Sequence, residues 1–160
     1  MRAEYINPFI EGVNELFLTM LECEAVRGKV AVAQTKGDPR DITALIGLSG
    51  PARGIVALTF PIPTALAMVS KLLGTPTRVV DATVSDAVAE MVNIVAGRAK
   101  SKFQTISGDP IDLSLPTVVR GNNYKVDYPS KSTWLDVPFD SQLGPFSLRV
   151  TFDEVSKLKD

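Results

Sequence analysis

This 160-residue sequence predicts an α+β fold, with one sheet packed against long helices. Three observations predict it. Residues 5–22 and about 85–103 carry apolar side chains at helical spacing. Each stretch is followed by β-branched runs that Gly and Pro punctuate. Finally, TALIGLSGPARGIVALTF (43–60) and TWLDVPFDSQLGPFSLRVTF (133–152) echo one another. Each begins with Thr, turns around Gly and Pro, and closes on Thr-Phe. The economical reading is a duplicated helix-plus-three-strand unit, with halves at about 5–60 and 83–152. The chain length suits a single domain over residues 1–160, able to bury its core without covalent staples.

In chain order, YINPFIEGVNELFLTMLE (5–22) places Phe9, Val13, Leu16 and Met20 along one helical face. Strands are predicted at 27–35, 42–50 and 54–60, and the Gly50-Pro51 turn makes the last two a hairpin. IPTALAMVSKLL (62–73) is an inserted helix: Pro63 is tolerated in its first turn and Gly74 stops it. TPTRVVDATV is a loop. The third helix runs from about Ser85 to Phe103 and ends before Gly108. Strands follow at 111–121, 132–140 and 145–152, where Pro116 and Pro138 mark bulges, edges or strand ends. Trp134 and Phe139 are expected to pack in or near the core, and the charged tail EVSKLKD to be solvated.

Composition removes several function classes. Seventeen basic and eighteen acidic residues leave a net charge of −1, without the basic excess of a nucleic-acid binder. A single cysteine, Cys23, allows no internal disulfide and favours a reducing compartment. The N-terminal stretch lacks the apolar core of a secretory signal and no stretch approaches a membrane span, so a cytoplasmic location is expected. With no histidine, Ser-His and Cys-His activation are excluded and a zinc site is disfavoured. Chemistry would have to rest on carboxylates, amides, hydroxyls, lysine or an oxygen-held metal.

Within DAVAEMVNIVAGRAK (86–100), stepping about 100° per residue sets Asp86, Asn93 and Gly97 within about 60° of Glu90. Val84, Val88, Met91, Val92, Val95 and Ala99 gather on the opposite side. A mostly apolar helix thus carries one polar line, and residues spaced this way meet a single surface. Gly97 costs roughly 1 kcal/mol relative to alanine. It would let another backbone or side chain come close. Solvated surface would account for Glu-x-x-Asn alone, and helix packing for Gly97.

These residues resemble the CheX/CheC/FliY phosphatases of bacterial chemotaxis, and within them the CheX type. The family motif is an acid or serine, three positions, glutamate, two positions and asparagine on a long helix. Here it reads DAVAEMVN (86–93), followed by IVAGRAK. YINPFIE, ALIGLSG with GIVALTF, TALAMVSKLLG and LSLPTVVRG are similar too, in the family's order. The resemblance implies a CheC-like fold of two repeated halves and a homodimer, in CheX through continuation of the sheet. It also implies a partner, a phosphorylated CheY-like receiver domain, and a reaction, hydrolysis of its aspartyl phosphate. Asn93 would orient the attacking water, Glu90 would pair with a lysine of the partner, and Asp86 and Gly97 would assist docking. Mg²⁺ would sit in the partner, so this chain would bind no cofactor or metal.

The first helix repeats the spacing in NPFIEGVN (7–14), making Glu11 and Asn14 a possible second site. It departs from the motif in Asn7, and Leu18 stands where Gly97 stands in the other helix. Helix capping by Asn7 ahead of Pro8 is the competing explanation. A function of another class, a non-catalytic receiver-binding or flagellar-switch-like module, would not particularly need Asn93 beside Glu90.

Overall fold

The computed structural model describes residues 3–33, 42–51, 53–120 and 134–153. Among the described residues, three helices, α1 (Ala3–Met20), α2 (Ile62–Leu73) and α3 (Ala82–Ser107), pack on one eight-stranded antiparallel sheet. Its strands are β1 (Val26–Arg27), β2 (Ala31–Ala33), β3 (Ile42–Ser49), β4 (Arg53–Phe60), β5 (Asp112–Leu113), β6 (Thr117–Arg120), β7 (Trp134–Asp140) and β8 (Phe146–Asp153). The order is β1-β7-β8-β4-β3-β5, with β2 also on β7 and β6 also on β3.

Each half of the chain contributes a helix, a pair of short strands and a hairpin. The short strands of one half pair with the hairpin of the other, and β4 meets β8 at the centre. Neither hairpin therefore completes its ladder with its own half.

Alternation sets the faces of the sheet. Ile42, Ala44, Ile46 and Leu48 of β3 point to the helices, as do Val56, Leu58 and Phe60 of β4 and Leu148, Val150 and Phe152 of β8. With Phe9, Val13 and Leu16 of α1, Met68 of α2 and Val88, Val92 and Val95 of α3 they form one core. Phe139, Phe146 and Phe17 stack in sequence, with ring centroids 5.0 and 4.7 Å apart. Trp134 is 8% exposed yet lies outside that core cluster, on the strand positions that face away from the helices.

Several boundaries differ from expectation. The predicted strand 27–35 is two pieces, because its pairing with β7 slips by one residue. Arg27 stands opposite Phe139, but Ala31 stands opposite Asp136. The slip falls at Pro138, which has no N–H, and the Pro138 carbonyl accepts from Gly28 N at 2.7 Å. The predicted strand 111–121 splits in the same way: Leu113 pairs with Leu48 and Thr117 with Leu45. There Ser114 Oγ accepts from Gly47 N at 2.8 Å, standing in for a backbone partner. Residues 34–35, 121 and 132–133 of the predicted strands, and the tail, lie outside the described residues.

The two long helices begin earlier than expected, whereas α2 keeps its expected bounds. α3 starts at Ala82 because Asp81 caps it, accepting from Val84 N at 3.1 Å. Gly108 ends it and Gly74 ends α2, both in the left-handed conformation. α1 starts at Ala3, so Asn7 is not its cap and Pro8 lies inside the helix. Burial of Ile6, Phe9 and Ile10 around Pro8 offsets the missing hydrogen bond. Met20, assigned to the buried face, is 41% exposed; Phe17 and Leu21 take that place.

Candidate functional site

α3 presents the polar line to solvent. Asp86, Glu90 and Asn93 are exposed, and Gly97 is partly so. Val84, Val88, Met91, Val92, Val95 and Ala99 are all buried behind them. The apolar side holds the helix on the sheet and leaves an acid and an amide one turn apart on the outer surface. A β-carbon added at Gly97 would meet nothing within 4 Å. Helix packing therefore does not explain this glycine. The close-packing glycine is Gly12 of α1, where a β-carbon would stand 2.9 Å from the Val95 carbonyl oxygen.

The N-terminal end of α3 is tied from two sides. Asp81 caps it, and Arg120 Nη1 of β6 donates to the Val80 carbonyl at 3.1 Å. Further along, α3 is joined to α1 by charged contacts on the outer rim of their seam. Arg98 Nη1 donates to Glu15 Oε2 at 2.9 Å, and Arg98 Nη2 to Thr19 Oγ1 at 3.5 Å. Lys102 Nζ lies 2.9 Å from Glu15 Oε1 and 3.2 Å from Glu11 Oε2. Its hydrogen bond with Lys102, seconded by Arg98, holds the Glu15 carboxyl below the usual carboxylate range. The same contact with Glu15, and then that with Glu11, raises the Lys102 ammonium above its ordinary value.

Glu11 and Asn14 are presented differently from Glu90 and Asn93. Glu11 is exposed but engaged by Lys102. Asn14 is half-buried, its Oδ1 sealed from solvent with no hydrogen-bond donor among the described residues. Leu18 beside them is 59% exposed, putting bulk on a face that Gly97 leaves bare on α3.

Among the described residues no group of three or more His, Cys, Asp or Glu side chains is placed to hold a metal ion. No helix among them is long and apolar enough to cross a membrane. Cys23 is buried, and burial pushes its thiol pKa up. The surface has what positioning of a reactant requires, an amide and a carboxylate on a rigid element.

The family model for the chemotaxis phosphatase CheX matches residues 42–140, more than half of the chain. The chain belongs to the CheX family. The matched span contains the whole of Asp86–Gly97. The CheY-P phosphatase CheX of Thermotoga maritima is 29% identical over 127 residues, covering 79% of this chain and 81% of that protein. The crystal structure of a CheC-like superfamily protein from a Shewanella species superposes with a TM-score of 0.86 at 30% identity, covering 96% of this chain and 99% of that one. The CheX–CheY–BeF₃–Mg²⁺ complex from Borrelia burgdorferi gives a TM-score of 0.81 at 26% identity over 96% of this chain and 100% of that one.

In this CheX-family chain, reading the sequence missed the seam that joins the two helices. Glu11 and Glu15 are spaced i, i+4, as are Arg98 and Lys102. Two such complementary pairs on helices expected to lie side by side are a legible signal for an inter-helix ion network.

Proposed function

We propose that the chain hydrolyses the aspartyl phosphate of a CheY-like response regulator, with Asn93 positioning the attacking water and Glu90 docking the partner. An acyl phosphate is already reactive, so alignment of water with the leaving carboxylate is the valuable step. The Asn93 carboxamide is no general base near neutral pH, yet it both donates and accepts hydrogen bonds, which suits holding one water in one orientation. Glu90, one turn away, pairs with a lysine beside the partner's phosphoaspartate and fixes the register of Asn93. Asp86 adds charge to the same docking line, and Gly97 leaves room for the partner to approach. Mg²⁺ belongs to the partner's acidic pocket, where it neutralises the phosphoryl charge.

One observation carries this reading. Glu90 and Asn93 share an exposed stripe whose reverse side is wholly buried, so both face any visiting surface together. The CheY-P phosphatase of Thermotoga maritima and the Borrelia CheX–CheY complex support the partner class. We assign Glu90 and Asn93, rather than Glu11 and Asn14, as the working pair, because Lys102 already occupies Glu11 and the Asn14 acceptor is sealed. The reaction fits a cytoplasmic location beside the receiver. A homodimer formed by extending the sheet would use one of its short-stranded edges, β1/β2 or β5/β6.

Mixing the purified protein with several phosphorylated receivers and timing phosphate loss tests the assignment. Asn93→Ala should lower turnover by about 100-fold or more with the fold intact. Glu90→Ala should chiefly raise KM. An Asn93→Ala protein that still turns over at full strength would return the reaction to Glu11 and Asn14.

A further inference from the structure

We propose that Arg98 is a positioning residue for Asn93, acting through its ion pair with Glu15 across the α1–α3 seam. For its rate readout the proposal rests on the hydrolysis assigned above. At Gly12 the α1 backbone lies against Val95 of α3, so that position contributes no side chain to the seam. The outer rim of the seam is instead held by charge. Arg98 grips Glu15 and Thr19, and Lys102 grips Glu11 and Glu15.

Arg98 is the rim contact nearest the stripe, one residue beyond Gly97. Gly97 is where the α3 backbone has most conformational freedom. Its amide is also the helical donor to the Asn93 carbonyl, four residues back. The Arg98–Glu15 contact therefore closes off motion at the point where it would be felt at Asn93. A rotation of α3 by about 10° would move a side-chain amide on its surface by about 1 Å, and a misplacement of that order costs up to about 100-fold in rate.

The test compares Arg98→Met, Glu15→Gln and the double variant. Each single change should lower kcat about five- to tenfold with KM within about twofold. The double should be no slower than the slower single, since both act through one contact. Arg98→Lys, which keeps a cation for Glu15, should recover part of the rate. Independently of any receiver, hydrogen exchange at the Gly97 amide should speed several-fold in both single variants. Wild-type kcat in Glu15→Gln, or a raised KM alone in Arg98→Met, overturns the proposal and makes Arg98 a direct partner contact. Unchanged exchange at Gly97 overturns it even where no receiver is hydrolysed. A wild-type protein inert toward every receiver, with faster exchange in the variants, overturns the phosphatase assignment and keeps the positioning.

Discussion

Gly12 of α1 and Val95 of α3 meet at backbone contact: a β-carbon on Gly12 would stand 2.9 Å from the Val95 carbonyl oxygen and 3.3 Å from its Cγ1. That approach lets two antiparallel helices share one sheet face while keeping their polar lines outward. Gly12→Ala should therefore force the helices apart. Overpacking of this kind costs about 1–3 kcal/mol. Thermal unfolding should move down by several degrees, and a variant as stable as wild type would show that the seam relaxes freely.

Gly97 should behave in the opposite sense. A β-carbon there meets open space, so Gly97→Ala gains helix propensity worth up to about 1 kcal/mol. For a chain of this length that is a rise of about 2–4 °C in Tm. On the proposed docking surface the same methyl would stand in the receiver's path, so KM should rise while Tm rises. Calorimetry beside steady-state hydrolysis separates the two, and unchanged KM would remove Gly97 from the docking surface.

At the end of α1, Glu22 carries a φ of 52°, the left-handed region that glycine tolerates best. The Phe17 carbonyl accepts from both Leu21 N at 3.1 Å and Cys23 N at 3.2 Å, closing the helix around Glu22. Glu22→Gly should relieve the strain and stabilise the protein by about 1 kcal/mol, since a non-glycine residue there costs roughly 1–2 kcal/mol. Chemical denaturation is the measurement. A loss of stability would mean that Glu22 makes a compensating contact.

The rim contacts give a pH dependence with a definite sign. Glu15 is lowered by Lys102 and then Arg98, so its contribution is fully present above the unfolded value of about 4.3 and is lost as pH falls through the folded one. Lys102 is raised by Glu15 and Glu11, so its contribution holds below about 10.4 and is lost as pH rises through the folded value. The Tm difference between wild type and Glu15→Gln should be largest between about pH 5 and 10 and shrink at either extreme. These groups are about a third exposed, so the difference is small and shrinks in high salt. A difference independent of both pH and salt would mean that Glu15 acts through packing.

Much of the fold was legible because periodicity is local. The inserted helix 62–73 and the hairpin at 42–60 follow from spacing and from Gly50, Pro63 and Gly74. The broken strands were not legible: a one-residue slip is visible only once Arg27 has Phe139, and Leu113 has Leu48, as cross-strand neighbours. Asp81 illustrates another limit, since its capping role needs the Val84 amide in place.

The polar line Asp86–Glu90–Asn93–Gly97 belongs to the sequence alone, because a helix of known pitch turns spacing into direction. Whether that direction points to solvent or into protein is not a local property. It was decided when the sheet took up Val88, Val92 and Val95, and when Arg98 and Lys102 found Glu15 and Glu11, far earlier in the chain. The physical reason is that burial and charge pairing depend on distances in space, which sequence separation does not measure. The Glu-x-x-Asn spacing on α1 meets different surroundings because Lys102 lies within reach of Glu11.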